Sequence, residues 1–513
     1  MRWLFFLLCC LAGCHKTVET EPKNLRINIG SDPETLDVRK ARRLQSLTLC
    51  RMLFEGLTRI SKEGRVELAI ADRVEISEDG LQYRFFLKPT CWSNGDKLLA
   101  SDFVEAWKTI LDPQYPTDIS YQLYCIKNAK KVKSRQLPAD TLGVSSLSEN
   151  LLLVELEQPT PYFLELCATV PFFPIPNAIV HQNSDWVHHP ESFVGNGPFV
   201  LKEWKHADFI KVIKNNKYWD ASAVKLDLIE LVMVSPDTEI RLFEENQLHW
   251  AGSPLSLIPS DAVDLLKTQG QLRISPFSGT YFLQVNVNDP ALQSPAVRNA
   301  LARAIDRESI AIHLLQGGQI AARRLVPKEM GLSNADYFSD ECGKAKALLV
   351  DEPKIQPVTI SFCISDRNLA IAQAIQQQWK VNLGLQVILN PLEDKVFFEK
   401  LKKKEFQIAV GSWIADFNDP INFLEVFKFK DASTNNTGWE SGKYIDLLER
   451  SAVCRDLEER KNLMRRAEEV LMAEMPVIPI FQYAINYLQN AHVKDVALSS
   501  IGLIDFRWAQ IEE

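Results

Sequence analysis

The sequence predicts a mixed α/β protein with more than one hydrophobic core. Its 513 residues are 46% hydrophobic, which is enough apolar material for roughly two or three domains. Segments with strand alternation and segments with helical apolar spacing follow one another along the chain without a fixed repeat. Because no heptad array or low-complexity block interrupts this order, the pattern favours a globular α/β architecture.

Strand signals and helix signals alternate along the whole of the expected folded part. Strands are expected where short apolar or alternating runs are bounded by Gly, Pro, Asn or Asp. These runs are 25–29, 83–87, 151–156, 199–204, 209–214, 281–287, 385–389 and 406–414. Helices are expected where apolar residues recur at helical spacing. These segments are 47–57, 103–111, 295–312, 368–382 and 457–472.

The N-terminus has the pattern of an export signal. Arg2 precedes an apolar run at 3–12 that is too short to span a bilayer and has the length of a signal-peptide core. The run closes on Leu-Ala-Gly-Cys, which is similar to a bacterial lipobox cleaved before Cys14. We therefore predict a signal peptide at 1–13, a lipidated Cys14 and a polar tether at 14–24, with acyl chains tying the body to a membrane. The alternative is a cleaved signal with incidental cysteines.

Charge and motif content exclude several functional classes. A net charge of −8 and a pI near 5.7 argue against nucleic acid as a partner. No nucleophile-elbow, HExxH, Walker or dinucleotide motif is present in the sequence, so we expect neither an enzyme nor a bound cofactor. The adjacent His188 and His189 would face opposite ways on a strand and have no evident third ligand, so a metal site is not expected.

The sequence contains ten cysteines. Cys9 and Cys10 would leave with the signal and Cys14 would be lipidated, so seven would remain. These lack CxxC and Cys/His zinc spacing, and an odd number cannot all pair. We expect most of them to act as small buried hydrophobes, with roughly one or two disulfides as the alternative in an oxidising compartment.

The stretch 406–424 contains the most informative single residue. A strand-like run at 406–414 leads to one carboxylate, Asp416, which is followed by a turn at Asn418-Asp419-Pro420. An ionised carboxylate left unpaired in an apolar setting is destabilising, so Asp416 needs water, a Lys or Arg of the protein, or a cationic ligand. The alternative interpretation is an acidic residue on a solvated junction between strand and turn.

Four blocks of sequence carry a family pattern. They are 53–57 (LFEGL) with 92–96 (WSNGD), 101–104 (SDFV) and Asp112-Pro113; 196–199 (NGPF) with 217–220 (KYWD); 296–301 (AVRNAL) with 304–307 (AIDR); and the Asp416 stretch 406–424. In this order and spacing they resemble the bacterial solute-binding proteins of the peptide, dipeptide and nickel class, the extracytoplasmic receptors of ABC importers. The fourth block is most similar to the oligopeptide receptors.

The resemblance implies a two-lobed periplasmic-binding-protein fold, with two α/β lobes around a cleft and a third domain inserted in the first lobe. The first lobe would comprise 25–54, 185–286 and 498–513, the inserted domain 55–184, and the second lobe 287–497. Ligand capture would be a hinge closure favoured by contacts to both lobes. The protein would act as a monomer and deliver its ligand to the permease of an ABC transporter.

The same resemblance implies the site residues. A receptor that reads many peptides must bind the groups that all peptides share. In the family pattern Asp416 would bind the α-ammonium of an oligopeptide. Main-chain groups on the two sides of the peptide would come from Ser412, Trp413 and Ile414 and, more weakly, from Arg42, Arg43 and Leu44.

This chain departs from the enterobacterial oligopeptide receptors at several positions. Ile414 and Gly279 replace a disulfide-forming cysteine pair, and Val410 replaces an arginine that binds some ligands' carboxylates. Tyr115 and Tyr121 are candidates for the tyrosine that assists the aspartate. The carboxylate partner is therefore open, and the candidates are Lys402, His313 and Arg323.

Ligand identity stays open at this point. Within the family, murein-derived peptides, short peptides or a narrower ligand set would all suit the retained pattern. Receptors for nickel or haem chelates share the fold, but an acidic ammonium anchor has no purpose in them. A lipoprotein that has kept the fold and lost transport is the remaining alternative, since fold alone does not imply function.

Overall fold

The computed structural model describes residues 23–183, 185–333, 335–352 and 357–512. These residues build two large hydrophobic cores, one from 25–255 with 493–509 and the other from 281–481. The expected two-lobed α/β architecture is thereby confirmed. The predicted signal peptide at 1–13, Cys14 and most of the tether lie outside the described residues.

One mixed sheet of eleven strands runs through both lobes. In spatial order ten of them are Val387–Leu392, Val358–Cys363, Ile408–Ile414, Arg273–Val285, Val477–Gln489, Trp250–Gly252, Asn24–Asn28, Leu228–Val232, Phe209–Lys214 and Phe199–Lys205, and Ile320–Ala321 pairs with Val477–Gln489. The N-terminal strand lies inside the sheet and pairs in parallel with Leu228–Val232. Its apolar residues Leu25 and Ile27 are fully buried, which explains why so short a strand is held firmly.

Two long antiparallel strands, Arg273–Val285 and Val477–Gln489, connect the lobes. Residues 279–285 of the first pair with Ile408–Ile414 in the second lobe, and residues 487–489 of the second pair with Trp250–Gly252 in the first lobe. The register between the two long strands shifts between Pro276 and Thr280 and again between Tyr281 and Phe282. The first of these irregularities coincides with the passage from one lobe to the other.

The lobe boundaries expected from the sequence stay a prediction, although this pairing bears on two of them. The expected boundary after residue 286 assigns the whole of Arg273–Val285 to the first lobe, but residues 279–285 pair with a second-lobe strand. The expected boundary after residue 497 assigns the whole of Val477–Gln489 to the second lobe, but residues 487–489 pair with a first-lobe strand. Each long strand is shared between the two lobes.

The segment 55–184 is organised around a four-stranded antiparallel sheet. Its strands in spatial order are Ala71–Ile76, Gln82–Leu87, Leu151–Glu155 and Val144–Ser148. Helix Ala100–Leu111 packs on this sheet, and in its first turn the Asp102 carboxylate accepts the Leu99 main-chain N–H at 2.9 Å. The core of this segment is continuous with that of the first lobe.

Helices cover the sheets, and short strand pairs close the loops. The other α-helices are Leu44–Leu53, Ala129–Lys133, Phe163–Leu166, Asn177–Gln182, Pro236–Glu244, Ser260–Thr268, Pro295–Arg303, Arg307–Ser309, Cys342–Ala347, Asp366–Leu383, Asp394–Lys402, Ile421–Leu424, Gly442–Val453 and Leu457–Glu474. The short pairs are Thr58–Ile60 with Val66–Leu68, Val493–Lys494 with Gln510–Ile511, and Ala497–Leu498 with Ile504–Asp505. None of the helices in the described ranges combines the length and apolar character needed to cross a membrane.

The helix expected at 295–312 is not continuous. It ends at Arg303, and Asp306 starts a new short helix by accepting the Ser309 main-chain N–H at 3.0 Å. Arg298 in the first helix donates to main-chain carbonyls, including that of Glu474 at 2.6 Å. The apolar spacing predicted one helix because it persists across the break, but the first helix ends with Ala304 as its C-cap and the Asp306 side chain caps the start of a second helix.

Candidate functional site

A cavity of about 460 Å³ lies between the two lobes. Its volume is in the range of small-molecule sites. Of the seven residues expected to contact a peptide, four line it together: Arg42, Leu44, Ile414 and Asp416. Arg43, Ser412 and Trp413 do not line this cavity, but Ser412 and Trp413 line a second cavity, of about 640 Å³, on the second lobe.

Among the residues that the structure describes, the Asp416 carboxylate has no cationic partner. It follows the strand Ile408–Ile414 by two residues, and none of the described Lys, Arg or His side chains forms an ion pair with it. Water reaches the side chain, yet the walls of the cleft surround it on most sides. This burial raises the pKa of the Asp416 carboxyl above its ordinary value, and the neighbouring Asn422 side chain offsets part of the effect.

Asn422 also fixes the geometry of the Asp416 loop. Its Oδ1 accepts the Trp413 indole N–H at 2.8 Å and the Asp416 main-chain N–H at 3.4 Å. Asn422 is buried, and its amide oxygen bonds both the end of the strand and the start of the loop, so it fixes their relative position. Trp413 is thus turned to support the loop through its indole ring.

A buried ion pair holds the other end of this loop. Asp419 accepts two hydrogen bonds from Arg460, at 2.7 and 2.9 Å, and also the Ile421 main-chain N–H at 3.0 Å. Such bidentate pairing defines the geometry of both side chains. The residues on either side of Asp416 are therefore anchored, while the Asp416 carboxylate itself is left available.

The strand that leads to Asp416 has one open edge. Its partner Val358–Cys363 pairs with it only at Ile408 and Ala409, and the described residues form no ladder along that edge beyond Ala409. On the opposite edge the Ala415 N–H donates to the Ser278 carbonyl at 2.9 Å. Because main-chain groups alternate between the two edges, those of Ser412 and Ile414 face the open edge and those of Trp413 face Arg273–Val285.

The opposite wall of the cavity is the segment before helix Leu44–Leu53. The main-chain N–H groups of Arg42 and Arg43 both donate to Glu34, at 2.6 and 2.9 Å, and the Arg42 guanidinium donates to Asp118 at 2.6 Å. These N–H groups are thus already occupied in this conformation. Leu44 contributes an apolar side chain at the start of the helix.

Of the two candidate tyrosines, Tyr121 is the one that shares the cavity with Asp416. Burial, and then the nearby negative charge of Asp416, raise the pKa of the Tyr121 phenol. Tyr115 donates its hydroxyl to Asp37 at 3.1 Å instead. Tyr121 is therefore placed to act with Asp416, and Tyr115 is part of a separate polar group.

The three candidates for a carboxylate partner differ in their surroundings. Arg323 is already paired with Asp340 at 2.8 Å, and it belongs to neither of the two cavities described above. His313 also lies outside both cavities. Lys402 lines the second cavity together with aromatic side chains, among them Trp413 and Tyr483. Of the three, Lys402 alone is near the open strand edge.

Gly279 and Ile414 are directly opposite each other on paired strands. The position of a family disulfide is thus present in the fold, with residues that cannot form it. The seven cysteines within the described ranges are all unpaired, so the alternative of one or two disulfides among them is not supported. In the same ranges no group of three or more His, Cys, Asp or Glu side chains is arranged to hold a metal ion.

The sequence did not single out Asn422, which holds the loop, or Arg51, which also lines the cavity. Asn422 is six residues after Asp416, inside an apolar segment where a buried amide has no distinctive spacing. Arg51 does carry a signal, because it follows Leu44 and Leu47 on one face of a helix. Apolar helical spacing alone does not separate a face that packs in a core from one that lines a cavity, and the structure shows that these three residues line the cavity.

Comparison with known proteins is consistent across sequence and structure. Residues 65–435 match the family model described as bacterial extracellular solute-binding proteins, family 5 Middle. The chain is 38% identical to the oligopeptide-binding protein OppA of Bacillus subtilis (94% of this chain, 92% of the relative) and 32% identical to the dipeptide-binding protein DppE of the same organism (98% and 96%). The unliganded open form of the periplasmic murein tripeptide binding protein MppA superposes with a TM-score of 0.84 at 26% identity (96% of this chain, 98% of MppA). The chain therefore belongs to the bacterial extracellular solute-binding proteins of family 5.

Proposed function

We propose that this protein captures peptides in the cleft between its lobes and delivers them to an ABC importer. The observation that carries the proposal is the Asp416 carboxylate, which has no cationic partner in the described part of the chain and lies beside an open strand edge. A peptide supplies both missing partners, since its α-ammonium can neutralise the carboxylate and its backbone can pair with the edge. The names of the two Bacillus subtilis relatives support a peptide ligand.

Each site residue would bind a different part of the peptide. Asp416 would bind the α-ammonium with help from Tyr121, and Ser412 and Ile414 would bond the peptide backbone. Trp413 would position the loop through Asn422. The peptide would be approached from the first lobe by Arg42, Arg43 and Leu44. Because Glu34 occupies the main-chain N–H groups of Arg42 and Arg43, either these contacts rearrange on binding or other groups of the segment bind the peptide. No catalytic step is part of this function.

Binding would close the cleft about the two long strands. Support comes from the high TM-score with an open, unliganded relative and from the register shift at the passage between lobes. A ligand that contacts both lobes stabilises the closed state by those contacts. Small-angle scattering should therefore show a smaller radius of gyration with peptide than without it. An unchanged radius in a sample whose binding is confirmed by calorimetry would exclude closure.

Membership of this family supports export, and we propose that Cys14 then anchors the protein by lipid to the outer face of a bacterial membrane. Its partners would be the membrane, through that anchor, and the permease of an ABC transporter. The protein would act as a monomer with one ligand at a time.

A narrower ligand class is the second candidate. Murein-derived peptides are favoured as an alternative because a structural neighbour is a murein tripeptide binding protein. Mass spectrometry of the material that co-purifies with the protein tests both candidates. Unmodified peptides support the first, peptides carrying murein-specific residues support the second, and a metal chelate or another non-peptide solute would refute both.

A further inference from the structure

A second charged group faces the cavity from the lobe opposite Asp416. Leu44, Leu47 and Arg51 lie on one face of the helix Leu44–Leu53, and all three line the cavity. Arg51 and Asp416 also line a smaller cavity of about 40 Å³, together with Glu165. The arginine thus lies where the first lobe meets the Asp416 loop.

The Arg51 guanidinium lines the cavity with few polar partners among the described residues. Its Nη2 donates to the Ala168 carbonyl at 2.9 Å, and no carboxylate of the described chain forms an ion pair with it. The nearby carboxylate Asp505 is bound to Arg507 at 3.3 Å. Burial lowers the pKa of the Arg51 guanidinium to about 10, with Arg507 adding to the effect and Asp505 opposing it. The guanidinium stays charged at neutral pH, and Asp505 is close enough to influence it, but within the described ranges no carboxylate forms an ion pair with it.

The other charged groups of the cavity are accounted for. Arg42 is exposed and pairs with Asp118 at 2.6 Å. Arg51 and Asp416 are left as one cation and one anion, contributed by opposite lobes and both without ion-pair partners among the residues described. A ligand that carries an ammonium and a carboxylate would neutralise both, and such a ligand would contact the two lobes at once.

We infer that Arg51 binds a carboxylate of the same ligand whose ammonium binds Asp416. The inference rests on the proposed peptide function and makes it more specific, because it predicts a preference for peptides with a negative charge close to the N-terminus. The carboxylate can be the C-terminus of a very short peptide or an acidic side chain of a longer one. Arg51 would take the role that Val410 cannot fill, from the opposite wall of the cleft.

Calorimetry with a small set of peptides tests this inference. The probes are trialanine, trialanine amide, and amides in which one alanine is replaced by glutamate or by glutamine. Wild-type protein should bind carboxylate-bearing probes about 10- to 100-fold more tightly than their neutral counterparts, as charged hydrogen bonds commonly provide. A preference for the acid over the amide identifies the C-terminus as the source, and a preference for glutamate over glutamine identifies the side chain.

The variant Arg51→Gln should lose this preference, and Arg51→Lys should keep part of it. Arg450→Gln is the matched control, because Arg450 is exposed and pairs with Asp446 outside the cleft, so this variant should behave as wild type. The wild-type comparison of acids with amides needs no variant, so it decides the matter even if Arg51→Gln does not fold.

Three results would overturn the inference. Equal wild-type affinity for acids and amides, and for glutamate and glutamine probes, would show that no carboxylate is bound. A preference that persists in Arg51→Gln would assign the carboxylate to another residue. If no peptide with a free N-terminus binds, both the proposed peptide function and this inference are refuted. If peptides bind and their binding depends on Asp416 but shows no carboxylate preference, only the role of Arg51 is refuted.

Discussion

The ring of Tyr162 stacks on the ring of Phe417, with centroids 4.7 Å apart and an interplanar angle of 7°. Tyr162 belongs to the segment expected as the inserted domain, and Phe417 directly follows Asp416. Both rings pack against each of the two large cores. The loop that presents Asp416 is therefore held by the second lobe through Asn422 and Arg460, and by the first lobe and its inserted segment through this stack.

We expect Tyr162 and Phe417 to be energetically coupled. In a double-mutant cycle, Tyr162→Ala and Phe417→Ala should together destabilise the protein by less than the sum of the single changes, with a coupling of about 0.5–1.5 kcal/mol. The free energy of unfolding from urea titration measures this coupling. Tyr162→Phe keeps the ring and should keep most of it. Simple additivity of the two alanine changes would show that the stack contributes nothing.

The Asp416 carboxylate should dominate peptide affinity. Asp416→Asn keeps the shape but leaves a ligand ammonium without its counter-charge in the closed cleft, at a cost of about 3–5 kcal/mol. Affinity should then fall by about two to four orders of magnitude. Acetylating the peptide N-terminus should weaken binding to the wild type and have little further effect on the variant. Calorimetry of the four combinations checks this, with Asp446→Asn, an exposed carboxylate outside the cleft, as control.

If Asp416 is only a solvated acid, the change to Asn should be nearly neutral. Equal affinity of wild type and Asp416→Asn for an unblocked peptide, with unfolding temperature unchanged, would therefore refute the ammonium role. That outcome would reopen the non-peptide ligands.

Stability should fall as the pH rises toward 8 because of Glu165. Burial, then the negative charge of Asp419, raise the pKa of the Glu165 carboxyl to about 8, and Arg460 opposes the shift. In the unfolded chain the pKa of Glu165 is lower, so the native state binds the proton more tightly. The resulting contribution to the free energy of unfolding is fully present below the unfolded pKa and is lost as the pH rises through about 8. Glu165→Gln mimics the protonated form, so it should flatten the dependence of unfolding temperature on pH.

The matched control for Glu165 is Glu149→Gln, an exposed glutamate that pairs with Lys97 on the surface of the same segment. Its pH profile should match that of the wild type. If the unfolding temperature of Glu165→Gln depends on pH in the same way as that of the wild type, Glu165 is ionised in the native state. The positive charge of Arg460 would then be enough to stabilise the buried carboxylate.

Cys14 should be the site of membrane attachment. The apolar run before it ends on small residues and a polar stretch follows it, as expected for a lipidated N-terminus. Cys14→Ser should abolish labelling with a radioactive or clickable fatty acid and move the protein out of the membrane fraction. Labelling that survives in Cys14→Ser would place the lipid elsewhere or exclude a lipid anchor at this residue.

Local sequence signals predicted much of the secondary structure. The helix expected at 368–382 is observed as Asp366–Leu383, where Ser365 caps its first turn and Gly384, at φ +67°, ends it. The strand pair Phe199–Lys205 and Phe209–Lys214 could be located from its alternation. The family and the two-lobed fold were also predictable, because four separated blocks occur in one order. The helix and strand signals depend on residues that are close in sequence, and the family pattern depends on the order of the blocks along the chain, so neither requires the tertiary structure.

The sequence by itself also indicated that Asp416, as an ionised carboxylate after an apolar strand, needs water, a basic side chain or a cationic ligand. The tertiary structure decided which groups surround it. Only the fold shows that Asn422 bonds Trp413, that Glu34 occupies the N–H groups of Arg42 and Arg43, and that Arg51 bonds a main-chain carbonyl and forms no ion pair with a described carboxylate. These relationships join residues on different elements or lobes, and their free energies depend on distance and burial that no local pattern of residue types specifies.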